Sequence, residues 1–237
     1  MMSQRFDVAA ALAEASRGID APQDLDDTLQ LIVDVARDSM PEIDHVGISI
    51  AHRGGEVVTR AASDDFVRVL DRIQYDLGEG PCLHAMDADT IVRVENAARE
   101  TRWPRFMPEA VRLGVRSQLG IRLHVDAKTL GALNMYSLSS DTISDDNEQM
   151  AELFAAHAGL ALGHARKIEN LNAALHSRKV IGVALGLLMQ RLDIDEDTAF
   201  AYLTRISASS ETKLRDIAAE VVEQHYARLR DRAMPAH

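Results

Sequence analysis

Residues 144–192 read SDDNEQMAELFAAHAGLALGHARKIENLNAALHSRKVIGVALGLLMQRL, and the fold turns on this stretch. It holds no proline and opens on Ser144, an N-cap followed by Asp145 and Asp146 where a helix dipole favours acids. Leu153, His157, Leu160, His164, Ile168, Leu171, Leu175 and Arg178 are spaced 4, 3, 4, 4, 3, 4 and 3 apart. That is a heptad seam with one irregularity at His164–Ile168. At 1.5 Å per residue, residues 144–177 alone span about 50 Å, more than one small domain needs. The spacing predicts a connector helix, paired with itself in a homodimer, between two structural parts.

Upstream of the connector the pattern alternates between helix and strand. A helix is expected over residues 5–18, and a second from Asp24 with Leu25, Leu29, Ile32, Val33 and Ala36 on one face. Val46, Ile48 and Ile50 then alternate with small residues, Arg53-Gly54-Gly55-Glu56 turns the chain, and Glu56–Ala62 returns as a strand. Helices follow near Asp64–Ile73, from Pro81, and from Pro104 to Gly114, with a short strand Thr90–Val94 between the last two. Strands Val115–Val125 and Leu130–Leu138 are joined by Asp126-Ala127-Lys128. These elements make an α+β domain built on an antiparallel sheet with flanking helices.

Downstream, Asp195 is placed to cap a second helix and Ser209 or Ser210 a third, with linkers short enough to fold a three-helix bundle. The net charge of −11 argues against a nucleic-acid binder held by bulk positive potential. From Arg178 onward, however, nine Lys and Arg balance nine Asp and Glu, so the acidity belongs entirely to the first part. No stretch has the length of a membrane span, the opening MMSQRFDVAA lacks an apolar core, and one cysteine, Cys82, fits a reducing cytoplasmic setting.

Two stretches carry a family resemblance. LGEGPCLHAMDADTIVRVENAARETRWPRF, with LGVRSQLGIRLHVDAKTLGALNMYS, resembles the GAF domains of actinobacterial regulators. SRKVIGVALGLLMQRLDIDEDTAFAYLTRISASSETKLRDIAAEVV is similar to the ANTAR domain, with Ala184, Gly186, Leu188-Met189, Ala199-Phe200, Leu203, Ser207, Lys213-Leu214 and Ala218 at the family's separations. The expected organisation is an N-terminal helix at 1–20, a GAF sensory domain at 21–164, an ANTAR domain at 165–227 and a tail at 228–237. The resemblance implies a transcription antitermination regulator. Its GAF part receives a small-molecule or protein signal, and its ANTAR part binds paired hairpins in nascent leader RNA. The pattern departs from the family at two positions, where Leu185 replaces a common Lys and Glu211 a common Asn. Both changes are expected to weaken contact with phosphate.

The candidate RNA-binding residues are Arg178, Lys179, Ala184, Gly186, Arg205, Ser207, Lys213 and Arg215. Lys213 leads because it opens a helix. Gly182 is assigned to helix packing, Ala184 and Gly186 to RNA contact. Cys82-Leu83-His84 could be read as a tetrapyrrole attachment or redox site, but a packed structural cysteine fits the flanking residues better. His157 and His164 lie on the seam, where they could face their mates, while His52, His84 and His124 lack metal-ligand spacing. No cofactor or metal site is expected. No phosphate loop, nucleophile elbow or HExxH motif is present, so no catalytic residue is assigned. A GAF-fold sulfoxide reductase would need several cysteines. The competing readings are a protein-interaction regulator with weakened RNA binding, and a DNA-binding regulator, whose third helix would be expected to carry more Arg, Asn and Gln.

Overall fold

A computed structural model describes residues 22–52 and 54–233. The helix expected over residues 1–20, Arg53 of the first turn and the last residues of the tail lie outside them. Helix α1 (Pro22–Ser39) is followed by the hairpin β1 (His45–Ala51) and β2 (Val57–Ala62). Three short helices, α2 (Asp65–Leu77), α3 (Pro81–Asp87) and α4 (Phe106–Arg112), bracket strand β3 (Ile91–Val94). Strands β4 (Ser117–Val125) and β5 (Lys128–Ser137) complete an antiparallel sheet of order β2-β1-β5-β4-β3. Lys128 therefore pairs in the sheet, opposite Val125, rather than in the turn.

The strand alternation read from the sequence sorts two cores. On one face Val46, Ile48, Leu119, Ile121, Leu123, Leu133 and Met135 pack against α1 and the first turns of helix α5 (Asp145–Leu192). Leu29, Ile32, Val33 and Ala36 of α1 are all fully buried there, as their spacing predicts. On the other face Val67, Leu70, Ala85, Phe106 and Met107 gather under Tyr136. Asp64 caps α2 by accepting from the Phe66 amide at 3.0 Å, and Gly78 ends it in the left-handed region. Helix α4 begins at Phe106 rather than Pro104, because Glu79 accepts from the amides of Arg105 and Phe106 and fixes the start there.

Helix α5 is continuous over 48 residues, as expected of the connector. Its first turns are tied at both sides. Glu42 accepts from the Ser144 amide and the Asn147 side chain, at 2.9 and 2.7 Å. Arg93 of β3 reaches Asp145 and Glu148 at 2.8 and 2.7 Å. Ala151, Phe154, Ala155, Ala158 and Leu162 face the sheet. The seam leucines therefore point away from it, Leu153 being 53% exposed and Leu160 62%.

A second compact unit begins at Lys167. Its core unites Ala184, Leu185 and Leu188 of α5, Ala199 and Leu203 of α6 (Glu196–Ser210), and Ile217 and Ala218 of α7 (Leu214–Ala233). Asp195 caps α6 through the Thr198 amide at 2.8 Å. Ser209 and Ser210 do not cap the third helix. Their hydroxyls bond the Ile206 carbonyl within α6, and α7 starts only at Leu214, with the Lys213 carbonyl accepting from Asp216 and Ile217. Helix α7 runs through Ala233.

Candidate nucleic-acid interface and the interior of the sheet domain

In the helical unit the phase of the core stripe decides which candidates can touch a ligand. Val180, Ile181, Ala184, Leu185 and Leu188 form one face of α5, so Ala184 is fully buried. Its assignment to RNA contact is corrected, since no ligand reaches it without opening the core. Gly182, assigned to packing, is instead exposed, and so is Gly186. A Cβ built on either would meet no atom within 4 Å. Four residues apart, the two share one face, with Arg178 and Lys179 exposed one turn before it.

Leu185 is only 8% exposed, so the hydrophobic residue that replaces the expected Lys serves the bundle core. Ser207 is half-buried and its hydroxyl donates to the Thr212 carbonyl at 2.6 Å, closing the α6–α7 turn. The hydroxyl's donor is thus engaged within the turn just before Lys213, and its acceptor lone pairs are left for RNA. Lys213, Arg178 and Lys179 are exposed and have no carboxylate partner among the described residues. Arg205 lies over the Tyr202 ring at 5.6 Å, and Arg215 bonds Asp216 at 3.2 Å. Sequence reasoning missed Phe200, which is 47% exposed on α6. Its family position was noted, but its exposure depends on where Ala199 and Leu203 direct the core.

Glu211 ends α6 at φ 53°, ψ 22°, in the left-handed region. A Cβ-bearing residue pays about 1–2 kcal/mol there, whereas Asn visits it readily. The Asn that the family pattern favours thus has a backbone reason, apart from any phosphate. Glu211→Asn is expected to stabilise the helical unit by about 0.5–1 kcal/mol relative to Glu211→Gln. Both variants remove the charge, so urea melts of the pair isolate the backbone effect, and equal midpoints would refute it.

The sheet domain hides a polar interior between the sheet and α2–α3. Asp71 is fully buried and accepts from Tyr136 Oη at 2.6 Å, Thr59 Oγ1 at 2.7 Å, and Ser49 Oγ and Asn134 Nδ2 at 3.3 Å. Tyr75 donates to Ser49 at 2.6 Å, and Gln74 donates to Tyr136 at 3.2 Å. Burial pushes the Asp71 carboxyl up, against the lowering pull of its donors. Gln118 is also fully buried. Its Nε2 and Oε1 have no hydrogen-bond partner in the structure, nor has Asn134 Oδ1. Such unpaired groups inside a domain are the expected mark of a site that a ligand or water completes.

Cys82 sits within this interior, receiving Asn134 Nδ2 at 3.1 Å. Burial pushes its thiol up to about 12, with Asp71 nearby adding to the rise. It is therefore a protonated packing residue at neutral pH, as the flanking sequence suggested. His84 bonds Asp89 at 2.9 Å and meets Trp103 edge-on. His157 Nδ1 lies 2.8 Å from the Leu153 carbonyl. No His, Cys, Asp or Glu cluster among the described residues could hold a metal ion.

A buried polar chamber in a helix-flanked sheet, and separately an all-helical unit with open glycines and unpaired cations, define a protein of two modules. The comparisons assign both. A GAF domain model matches residues 22–163 and an ANTAR domain model residues 169–222. The chain belongs to the GAF domain family and carries an ANTAR domain behind it. These are regulatory domains, not catalytic ones. No curated protein matches the chain in sequence. Among solved structures it is similar to the GAF domain of an Acinetobacter phosphoenolpyruvate-protein phosphotransferase. That match has a TM-score of 0.53 at 18% identity, covering 71% of this chain and 98% of that one. It is also similar to the bacteriophytochrome RpBphP3 from R. palustris, at TM-score 0.55 and 11% identity, over 85% of this chain and 46% of that one. Identities this low speak for the fold alone. No described helix is long and apolar enough to cross a membrane.

Proposed function

We propose that the chain is a signal-responsive RNA-binding regulator of transcription antitermination. In this reading the GAF domain receives a small molecule or protein signal, and the ANTAR domain binds paired hairpins in nascent leader RNA. The protein works in the cytoplasm as a homodimer. The observation that carries the RNA reading is the open face at Gly182 and Gly186. Each glycine costs a helix interior about 0.8–1 kcal/mol relative to Ala. Nothing within the described residues packs against either of them. Glycines kept without an internal packing reason suit a partner that approaches the backbone closely. Unpaired Arg178, Lys179 and Lys213 suit phosphate, and exposed Phe200 suits an unstacked loop base.

Homodimerisation is supported by the seam. Besides Leu153 and Leu160, Leu171 is 56% exposed and Leu175 64%, all at positions the heptad pattern assigns to a mate. Exposed Leu171 and Leu175 also favour the second reading, in which the helical unit binds protein rather than RNA.

Gel shift of the full chain against a hairpin pair from its own operon's leader, scrambled RNA and duplex DNA separates the readings. Preferential binding of the hairpin pair is expected. Lys213→Ala should flatten the log–log salt slope by about 0.7–0.9, one phosphate contact. Equal binding of scrambled RNA, or preference for duplex DNA, would sink the proposal.

A further inference from the structure

Two histidines of α5 serve neither a core nor the open glycine face. His157 and His164 follow Leu153 at i+4 and i+11, so with Leu160 they project from one side of the helix. The sheet takes the opposite side, through Phe154, Ala155, Ala158 and Leu162. His157 is half-buried and His164 exposed, and neither forms an ion pair among the described residues.

The His157 ring is held in one orientation, because its Nδ1 lies 2.8 Å from the Leu153 carbonyl oxygen one turn back. A carbonyl can only accept, so Nδ1 carries the proton and the neutral ring keeps a bare lone pair on Nε2. That nitrogen has no hydrogen-bond partner among the described residues. An imidazole that donates one nitrogen to a backbone carbonyl and keeps the other free is in the state that metal-binding histidines adopt. His164 repeats the position one heptad on, and its ring makes no hydrogen bond. One chain alone cannot complete a site. Its two rings are separated by about 10 Å of helix, and no group of three or more His, Cys, Asp or Glu among the described residues could hold an ion. A second copy changes this. In a parallel pair about a two-fold axis each seam position lies level with its own counterpart, so the two His157 rings face one another.

We infer that the homodimer holds a transition-metal ion of the zinc, nickel or copper class between its two His157 rings, with the His164 pair as a second such position. Imidazole nitrogen suits these ions, whereas magnesium and calcium take oxygen ligands. Two nitrogens leave the other positions of a tetrahedral ion to water, so the site is open rather than a closed structural one. Because each copy supplies half of the nitrogens, the ion binds the pair and not the single chain, and occupancy strengthens the dimer by mass action. The clamp lies on the same unbroken helix as Gly182 and Gly186. The inference rests on the reading of the chain as a homodimer, and does not depend on RNA binding.

The test is analytical ultracentrifugation of the full chain over a concentration series, in EDTA and in about 100 µM zinc. Zinc should lower the dimer dissociation constant about tenfold or more, as a site of about 10 µM affinity requires, and magnesium should leave it unchanged. His157→Gln/His164→Gln should remove the zinc effect, while His124→Gln on the sheet should keep it. Equilibrium dialysis reads the ion directly. Leu160→Asp separates the copies without touching either imidazole, and should lose bound zinc together with the dimer. Four results would overturn the inference: no zinc effect on the wild type, an equal effect of magnesium, an equal zinc effect in the double variant, or zinc retained by Leu160→Asp monomers. A chain that dimerises in EDTA yet ignores zinc loses the metal site alone, whereas one that stays monomeric in both loses the homodimer as well.

Discussion

Asp71→Ala should destabilise the GAF domain by about 3–5 kcal/mol, and Asp71→Asn by much less. Four donors converge on this carboxylate from β1, β2 and β5. Alanine leaves them without this acceptor in a buried interior, at about 1–3 kcal/mol for each that finds no other partner. Some will be rescued, since Thr59 and Tyr75 already lie 3.3 Å apart. Asparagine keeps the shape and one acceptor, and the Ser49 and Thr59 hydroxyls can turn to accept from its amide. The pH dependence follows from burial, which raises the Asp71 carboxyl in the folded state. In the unfolded chain it loses its proton near the ordinary carboxylate value, while the folded chain holds the proton to a higher pH. Stability from this group is thus complete below the unfolded value and falls as pH rises toward the folded one. Urea melts of wild type and Asp71→Asn between pH 4 and 8 should therefore show the wild-type advantage shrinking as pH rises. A flat difference would mean that the four donors hold the carboxylate charged throughout, and the assigned direction would be wrong.

That chamber also marks the limit of what could be read from the sequence. Local signals were legible. Asp195 as a cap, the burial of Leu29, Ile32, Val33 and Ala36, and the uninterrupted α5 all follow from spacings within a few turns of helix. The chamber joins Ser49 to Asn134 across 85 positions, and no periodicity in either strand announces the pairing. One hint was available: Asp71 and Gln74 share a helical face with Val67 and Leu70, at i, i+3, i+4 and i+7, which places an acid on an apolar stripe. The glycine face failed for a related reason. Spacing shows that residues 182 and 186 share a face and that 184 does not. Which of the two faces is the core depends on where α6 and α7 pack, and that is tertiary information. The same blindness made Leu185 look like a lost cation and Glu211 only a misplaced anion. One is a core residue and the other a strained helix end.

Gly182→Ala/Gly186→Ala should make the helical unit more stable and RNA binding worse, and the opposed signs distinguish this prediction from ordinary core damage. Alanine in an exposed helix interior gains about 0.8–1 kcal/mol over glycine, so the double variant should gain about 1.5–2 kcal/mol in urea melts. No steric penalty offsets this, because a Cβ at either position meets nothing within 4 Å. If hairpin RNA lies against this face, two methyl groups hold it off the backbone and weaken the phosphate contacts of Arg178 and Lys179. Affinity for the leader hairpins should then fall about tenfold or more, a loss of at least about 1.4 kcal/mol. Ala184→Gly provides the control. It removes a buried methyl and a good helix former, so it should cost stability without touching the open face. RNA affinity that survives in the double alanine variant would remove this face from the interface. A change in oligomeric state in its place would assign the face to a second copy of the chain, since close helix crossings need the same small residues. Stability and affinity falling together would mean that the glycines pack inside the protein after all, and the physical basis of the RNA assignment would be gone.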